Sequence, residues 1–292
     1  MNISTDQSSL LALRDHITSD TNHILLTNWS SSNSVCNWIG ITCGSRHHRV
    51  IELNISGMDI TGTIPPQLGN LSFIVSLDLS KNNFHGELPP ELFLLRKLRD
   101  IDLSYNNFTG EIPKGIATLP NLKWFILRYN KLLNGSNVLS IFNTSRLEIL
   151  DLRSTGLTGE LPSDLCRHLP RLKKLALGNN MLSGEVPRNI SECSELQILM
   201  LFQNNFVGTI PSELGNLHLL QQLHLSENKL EGNHISGSIP STIGNGSPNV
   251  EGIYLAGNNI NGVLPSSISN LSKLEFLILR GNELTGSIPE SL

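Results

Sequence analysis

The sequence predicts an α/β repeat solenoid, a right-handed superhelix with a concave parallel β-sheet and an N-terminal capping helix and hairpin. Three observations predict this fold. Leucine-rich segments recur with a period near 24 residues, each contains an alternating L-x-L pattern, and a different, cysteine-bearing segment precedes the first of them. Repeats of this length stack so that each one buries its leucines against the next.

We expect residues 1–49 to form the N-terminal cap. The stretch STDQSSLLALRDHI predicts a helix, with Ser4 or Thr5 as its N-cap and Asp6 in its first turn. The apolar residues at helical spacing are Leu10, Leu13 and Ile17.

About ten repeats follow over residues 50–292, and the last is truncated. They start at Val50, Ile74, Leu98, Leu122, Leu147, Leu172, Leu196, Leu220, Val250 and Leu274. Within each repeat, L-x-x-L-x-L-x-x-N-x-L-x-G-x-I-P predicts a short strand whose apolar side chains point inward and whose neighbours point outward. The glycine permits a backbone bend, and the proline fixes φ.

The ninth position of the repeat is Asn in eight of the ten repeats, with Met58 and Thr155 as exceptions. An amide both donates and accepts, so this column can pair with backbone groups that a tight turn leaves without partners. We expect Asn106→Ala to cost about 1–3 kcal/mol because buried partners lose a hydrogen bond. The predicted ladder residues are Asn82, Asn106, Asn130, Asn180, Asn204, Asn228, Asn258 and Asn282.

The composition excludes two other classes of protein. Lys and Arg number 21 against 25 Asp and Glu, so that 16% of residues are charged and the formal net charge is −4. A nucleic-acid-binding protein needs a positive excess on one face, so we expect no nucleic-acid partner. No run of about 18 apolar residues occurs, so no transmembrane helix is predicted in this chain.

The L-x-G-x-I-P form of the repeat resembles the plant-specific class of leucine-rich repeats. A D-x-x-x-L-L-x-L helix followed by C-N-W-x-G-x-x-C is similar to the N-terminal cap of plant receptor-like kinase ectodomains, and GTIPPQLGNLSFIVSLDLSKNNFHGELP resembles the subfamily with immune pattern-recognition receptors. The resemblance implies an ectodomain on the extracellular face of the plasma membrane, with a serine/threonine kinase elsewhere in the protein. It also implies a peptide or microbial protein ligand and a co-receptor kinase ectodomain as partner.

Two alternatives stay open, a secreted leucine-rich-repeat inhibitor of cell-wall-degrading glycosidases and a kinase-less receptor-like protein. Such inhibitors end in a cysteine-bearing cap, whereas this sequence stops at Leu292 within a repeat. Its start lacks the basic and apolar regions of a signal peptide. We therefore expect part of a longer polypeptide or a shortened gene model, with any membrane segment outside this chain.

The four cysteines suggest one disulfide and leave a second open. We expect Cys36 and Cys43 to bond, since a bridge can clamp a cap that has no neighbouring repeat, and a zinc site lacks its second ligand pair. Cys193 occupies an inward position, where it would be a small buried hydrophobe. A bridge to Cys166 is the alternative, because the two lie in adjacent repeats.

N-x-[ST] sequons, together with the cap disulfide, favour passage through the secretory pathway. Asn54 points from the concave strand of the first repeat, where a glycan would hinder ligand contact. The glycosylation candidates are Asn28, Asn54, Asn70, Asn107, Asn134, Asn143, Asn189, Asn245 and Asn270.

No motif predicts an enzyme. G-x-G-x-x-G, P-loop, H-E-x-x-H, G-x-S-x-G and C-x-x-C motifs are missing from the sequence, so we expect no catalysis, cofactor or metal in this chain. Asp78, Asp102 and Asp151 align at the fifth repeat position and could suggest an acid–base pair. We expect instead that an open sheet offers no burial that would shift a pKa.

The outward strand positions favour a binding surface, since they hold large aromatic side chains and Arg, which dominate recognition energetics. The densest set is Tyr105, Trp124, Ile126, Arg128, Tyr129 and Arg153. A sparser set is Phe202, Tyr254, Phe276 and Arg280. For the denser set, local packing against the irregular fourth repeat is the alternative.

The repeat that starts at Leu220 has 30 residues and two partial copies of its motif, at Asn228 and Asn233. Equivalent Asn five apart, where 24 is expected, imply 24 − 5 = 19 missing residues at the Gly232/Asn233 junction. A five-residue loop insertion is the alternative. We expect only one of the two Asn in the ladder and a bulge around residues 231–236.

Overall fold

The computed structural model describes residues 2–21, 23–130, 145–230, 239–290 and 292. The chain divides into two compact units, one of residues 1–136 and 154–156 and the other of residues 137–153 and 157–292. Both units are built from stacked leucine-rich repeats with parallel strands, so the predicted repeat solenoid is confirmed. None of the described helices is long and apolar enough to cross a membrane.

The cap begins with helix α1 (Ile3–Asp15). Its N-cap is Asn2, whose side-chain oxygen accepts a hydrogen bond from the Thr5 backbone at 3.1 Å, while the Thr5 hydroxyl accepts from the Asn2 backbone. The prediction of Ser4 or Thr5 as N-cap is therefore wrong, because the acceptor lies at Asn2. The helix also ends before Ile17, which begins strand β1 (Ile17–Asp20).

A buried ion pair fastens α1 to the first repeat. Asp6 is fully buried and accepts from Arg49 at 2.7 and 2.6 Å and from the Val50 backbone at 3.0 Å. The hydrogen bond to Asp6 raises the pKa of Arg49. Removing either charge would leave the other one buried without its partner. This ion pair therefore holds α1 against the first repeat.

The rest of the cap is a short helix, a disulfide and a hairpin. Helix α2 spans Ile24–Asn28, and strands β2 (Ile41–Cys43) and β3 (Val50–Asn54) are antiparallel. Cys36 and Cys43 are joined by a disulfide. The stacked rings of Trp29 and Trp38, 5.4 Å apart, fill the space between these elements.

The third to fifth residues of each repeat form the strands of the main sheet, and those following β3 pair in parallel. In the first unit β3 is followed by β5 (Ser76–Asp78), β7 (Asp100–Asp102) and β9 (Trp124–Ile126). In the second unit they are β10 (Ile149–Asp151), β12 (Lys174–Ala176), β14 (Ile198–Met200), β16 (Gln222–His224), β18 (Gly252–Tyr254) and β20 (Phe276–Ile278).

A second run of short strands, which the sequence pattern did not predict, lies after the ladder Asn of most repeats. In the first unit β1 pairs with β4 (Ile60–Gly62), followed by β6 (Asn83–Glu87) and β8 (Asn107–Thr109). In the second unit they are β11 (Thr158–Glu160), β13 (Met181–Glu185), β15 (Asn205–Gly208), β17 (Lys229–Leu230), and the pair β19 (Asn261–Val263) and β21 (Glu283–Thr285).

Short helices close the repeats on the side away from the main sheet. Most are single 3₁₀ turns that begin after the Pro of the I-P or L-P element. In the described repeats, the 3₁₀ helices are Pro66–Asn70, Pro90–Leu94, Lys114–Thr118, Arg188–Glu192, Ser212–Asn216 and Ser266–Asn270, and the α-helices are α3 (Leu165–His168) and α4 (Ser241–Gly246). A further 3₁₀ helix, Val35–Asn37, lies in the cap.

Side-chain amides tie neighbouring repeats together at the ninth position. In a typical case, Asn106 donates to the carbonyls of Leu79 and Leu103 at 3.0 and 3.1 Å and accepts from the Phe84 N–H at 2.9 Å. The other seven predicted ladder residues make the same three kinds of contact, including Asn228 of the long repeat.

Cys166 and Cys193 are joined by a disulfide with Cα atoms 4.9 Å apart. It links α3 to the neighbouring repeat, so the alternative of a bridge is confirmed and the prediction of Cys193 as a small buried hydrophobe without a bond is wrong. Both residues are buried, which places the bridge inside the second unit.

Several predictions concern residues outside the described ranges. These are the sequons at Asn134 and Asn143, the Gly232/Asn233 junction, the ladder role of Asn233 and the bulge around residues 231–236. Most of the irregular fourth repeat, against which the aromatic set could pack, also lies outside them.

Candidate ligand-binding surface

We use the term open face for the outward side of the main sheet in each unit. On the first unit, parallel pairing places Asp78 opposite Asp102 and Asp102 opposite Ile126. Two residues earlier on β7 and β9, Asp100 lies opposite Trp124. The open face of this unit therefore carries acidic side chains on β5 and β7 and apolar ones on β9.

Three large aromatic side chains are exposed at the edge of this open face. Trp124 is 45% exposed, Tyr105 41% and Tyr129 36%. The rings of Tyr105 and Tyr129 stack with centroids 4.6 Å apart, and the Arg128 guanidinium lies 5.3 Å from the Tyr105 ring centre. Exposed aromatic and Arg side chains in one place are typical of a recognition surface.

The two tyrosines stand on a backbone turn that all ten repeats share. The eighth residue of every repeat has a positive φ, +54° at Tyr105 and +58° at Tyr129. The left-handed region is uncommon for residues other than Gly, so these bulky side chains are held in place at some conformational cost. The turn fixes the direction from which both rings leave the backbone.

A depression of about 180 Å³ lies beside Trp124 on the open face of the first unit. Strands β5, β7 and β9 line it with both apolar and acidic side chains. The lining residues are Ser76, Leu77, Asp78, Asp100, Ile101, Asp102, Trp124 and Ile126.

Burial raises the pKa of the Asp102 carboxyl. Hydrogen bonds from Ser104 oppose this effect, whereas the nearby charge of Asp78 adds to it and that of Arg128 opposes it. The prediction that an open sheet cannot shift a pKa is therefore wrong for Asp102, because the depression removes the carboxyl partly from water. It is also wrong for Asp151, which is buried and whose pKa is shifted as well.

Arg153 belongs to the second unit, where its guanidinium binds Asp151 at 2.8 and 2.7 Å. Lys174 binds the same carboxylate at 3.0 Å. Burial raises the pKa of Asp151, but these hydrogen bonds and charges outweigh burial and leave the pKa lowered. As a ligand anchor, Arg153 is thus weaker than the sequence suggested, since its charge is already matched within the chain.

The open face of the second unit carries a continuous aromatic row. His224 stacks on Phe202 with ring centres 4.3 Å apart and lies 5.0 Å from Tyr254, which stacks on Phe276 at 6.2 Å. His224 was missed as a site residue, although it occupies the same fifth position as Tyr254. Arg280, on the repeat of Phe276, is exposed.

Two glycines make room for this row. A Cβ on Gly178 would lie 2.4 Å from the Phe202 ring, and one on Gly252 would lie 2.6 Å from the Tyr254 ring. Any larger residue at either position would displace its ring. The pKa of His224 is lowered, mainly by burial and further by Arg153, against an opposing contribution from Glu227.

The described sequon residues differ in what their side chains contact. Asn54, on β3, is exposed and accepts from the Ser56 backbone at 3.1 Å. Asn28 accepts from the Ile39 backbone at 2.7 Å, and Asn270 donates to Asn245 at 2.8 Å. Asn107, Asn189, Asn245 and Asn270 are exposed, and Asn70 is half-buried.

The chain matches the family model of the leucine rich repeat N-terminal domain over residues 3–44. Models of leucine-rich repeats match residues 49–71, 72–132, 146–168, 195–217 and 229–284. These matches cover most of the sequence, so the chain belongs to the leucine-rich-repeat family.

Several curated relatives are plant receptor kinases. The LRR receptor-like serine/threonine-protein kinase EFR of Arabidopsis thaliana is 44% identical over 70 residues, which is 24% of this chain and 7% of that protein. The match thus spans a small part of a much longer relative. No kinase segment is evident in this chain, and the similarity concerns the repeats.

Solved structures of plant receptor ectodomains have the same fold. The Arabidopsis GASSHO1/SCHENGEN3 ectodomain, bound to CASPARIAN STRIP INTEGRITY FACTOR 2, is 34% identical with a TM-score of 0.87 over 100% of this chain and 34% of that one. Arabidopsis HAESA, solved with the peptide hormone IDA and the co-receptor SERK1, is 26% identical with a TM-score of 0.71 over 99% and 55%.

The fold alone does not define what is bound. A plant ice-binding protein is also similar, at 26% identity and a TM-score of 0.85 over 99% of this chain and 89% of that one. The function must therefore be argued from the exposed side chains.

Proposed function

We propose that this chain is the ligand-recognition part of the ectodomain of a plant receptor-like kinase. It binds a peptide or protein ligand, of plant or microbial origin, on the open face of the main sheet. Ligand binding then promotes pairing with a co-receptor kinase ectodomain outside the plasma membrane. Residues 1–49 serve as the cap and residues 50–292 as the recognition array, with glycans on exposed sequons.

One observation carries the proposal, the exposed group of Trp124, Tyr105 and Tyr129 beside a depression in the first unit. A solvated strand gains little from presenting rings of this size, whereas a ligand that covers them gains apolar burial. The aromatic row of the second unit offers a further contact surface of the same kind.

The relatives support the kind of ligand. The HAESA ectodomain is solved with a peptide hormone and a co-receptor, and the GASSHO1/SCHENGEN3 ectodomain with CASPARIAN STRIP INTEGRITY FACTOR 2. A secreted inhibitor of glycosidases would instead bind a folded enzyme, and it would not need a co-receptor.

The experiment is a binding screen with the secreted, glycosylated chain against extracellular peptide fractions, followed by titration of each captured peptide. We expect Trp124→Ala and Arg128→Ala each to weaken binding by about tenfold or more. Leu94→Ala is the matched control, since Leu94 is a large exposed apolar residue on a 3₁₀ helix away from the open face. Unchanged binding in both test variants would refute this location of the site.

A further inference from the structure

Two carboxylates meet on the open face of the first unit. Asp78 on β5 and Asp102 on β7 are direct register partners, so their side chains leave the sheet side by side. Like charges directly opposite each other destabilise a sheet. The charge of Asp78 is one of the causes that raise the pKa of Asp102.

Both carboxylates are held in the same manner and keep one oxygen for another partner. Oδ1 of Asp78 accepts the Ser80 N–H at 2.9 Å, and Oδ1 of Asp102 accepts the Ser104 N–H at 2.9 Å. The Ser104 hydroxyl donates to the same Asp102 oxygen at 2.5 Å. Every hydrogen bond that the described residues make to these two side chains ends on Oδ1, so both are oriented before any ligand arrives.

The second unit provides a contrast at the same repeat position. Asp151 is bound there by Arg153 and Lys174 of the chain itself. Within the described ranges, no cationic side chain contacts Asp78 or Asp102 in this way. Arg128, which affects Asp102 through its charge, lies over the Tyr105 ring.

The next strand supplies an apolar wall to the same depression. Trp124 and Ile126 on β9 line it together with the two carboxylates, and its volume of about 180 Å³ suits one long side chain. An aliphatic stem can pack on these two residues while a cationic head bonds to the carboxylates. A cation near the Trp124 ring gains further attraction.

We propose that the depression formed by Asp78, Asp102, Trp124 and Ile126 binds a Lys or Arg side chain of an extended peptide. Charge complementarity selects this occupant, because a neutral or acidic side chain would leave the two adjacent carboxylates without a counter-charge. The inference rests on the proposed function and adds the chemistry of one ligand residue. The peptide runs across β5, β7 and β9 with its basic side chain toward the sheet.

The test is a selection from a displayed library of random 12-residue peptides on the glycosylated chain, followed by titration of the enriched peptides as synthetic probes. The test variant is Asp78→Ser/Asp102→Ser, whose hydroxyl oxygens can still accept from the Ser80 and Ser104 N–H groups. Unlike Asn, Ser creates no N-x-[ST] sequon with Ser80 or Ser104. The control is Glu275→Gln/Glu283→Gln, which also removes two negative charges, at exposed positions of the second unit.

We expect the enriched peptides to share a Lys or Arg, and the Asp double variant to bind them about 10- to 100-fold more weakly, with the control unchanged. Replacing that Lys by norleucine in the probe should give a similar loss on the wild-type chain and little further loss on the double variant.

Four results would overturn the inference. If the peptides depend on Trp124 but share no basic residue, or if the Asp double variant binds them normally, the proposed function stands and the basic pocket does not. An equal loss in the Glu control would mean that the attraction is not local to the pocket. If no peptide is enriched, both the pocket and the proposed function fail.

Discussion

Asn204 offers the sharpest test of how the repeats hold together. Its amide donates to the carbonyls of Leu177 and Leu201, both at 3.0 Å, and its oxygen accepts from the Leu182 N–H at 3.0 Å. Leu177 and Leu182 belong to the preceding repeat, so one side chain closes the gap between two repeats. The side chain is 8% exposed, and water has little access.

The cost of Asn204→Ala can be worked out group by group. The Leu177 carbonyl keeps a second donor, Asn180 at 2.8 Å, and the Leu201 carbonyl keeps Asn228 at 3.0 Å. Only the Leu182 N–H loses its side-chain acceptor. One buried donor without a partner costs about 1–3 kcal/mol, so we expect a loss of about 2 kcal/mol in the free energy of unfolding.

Asn204→Asp should cost more than Asn204→Ala. The carboxylate still accepts from Leu182, but its second oxygen replaces the amide nitrogen and faces the carbonyl oxygens of Leu177, Leu201 and Phe202. Its charge is also buried without a counter-ion among the described residues. We expect at least about 1 kcal/mol beyond the alanine variant at neutral pH, and a smaller difference in acid, where the carboxyl becomes protonated.

Urea unfolding followed by far-UV circular dichroism measures these differences. The matched control is Asn205→Ala, because Asn205 is adjacent, exposed and outside any sequon, and should change stability by less than about 0.5 kcal/mol. An aspartate variant as stable as the alanine variant, or an alanine variant as stable as the control, would refute this account of the ladder.

Three further predictions concern other parts of the chain. Replacing Cys166 and Cys193 by Ser should lower the free energy of unfolding by about 3–4 kcal/mol, since the bridge spans 27 residues, and unchanged urea midpoints under oxidising conditions would contradict this. Because folding lowers the pKa of His224, this side chain binds a proton more readily in the unfolded chain than in the folded one. The stability that the neutral His224 contributes is therefore complete above about pH 6.5 and is lost as pH falls below that value. As pH falls from about 7.5 to about 5, the melting temperature of the wild type should therefore drop more than that of the His224→Phe variant. A melting-temperature difference that does not change with pH would exclude this linkage. Asp6→Ala should cost about 3–5 kcal/mol because it leaves the Arg49 charge buried, and calorimetry showing a loss below about 1 kcal/mol would show that the pair does not hold the cap.

The repeat pattern predicted the main sheet because side-chain periodicity encodes it directly. Buried residues such as Ile101 and Leu103 recur with the strand period in each repeat, and Asn106 marks the turn that follows. Each of these positions requires a particular type of side chain, so the strand and the turn can be recognised from the sequence.

Other features depend on backbone geometry that no residue type marks. The eighth position has a positive φ in all ten repeats, yet it holds Lys81, Tyr105, Ser154, Gln203 and Gly257 among others. The second run of strands follows from this turn and was not predicted. The N-cap was misplaced because both Asn2 and Ser4 are good capping residues, and only the start of the helix distinguishes them.

The candidate surface was predicted in part. The repeat pattern identified Trp124 and Tyr129 as outward-facing, because their exposure follows from their repeat positions and does not depend on which residues they contact. The pairing of Arg153 with Asp151 could not be read from spacing, because it depends on how a half-buried Arg side chain orients toward a buried carboxylate. His224 was missed since its ring matters only as the middle of a stack between Phe202 and Tyr254.

The central claim, ligand recognition on the open face of the main sheet, is tested most directly by hydroxyl-radical footprinting of the glycosylated chain with and without a selected peptide. The account predicts that oxidation of Trp124, Tyr105 and Tyr129 falls several-fold on binding, while Leu94 on the opposite side of the same unit is unchanged. Protection of Leu94 with the three aromatic residues still oxidised at their free rate would contradict it.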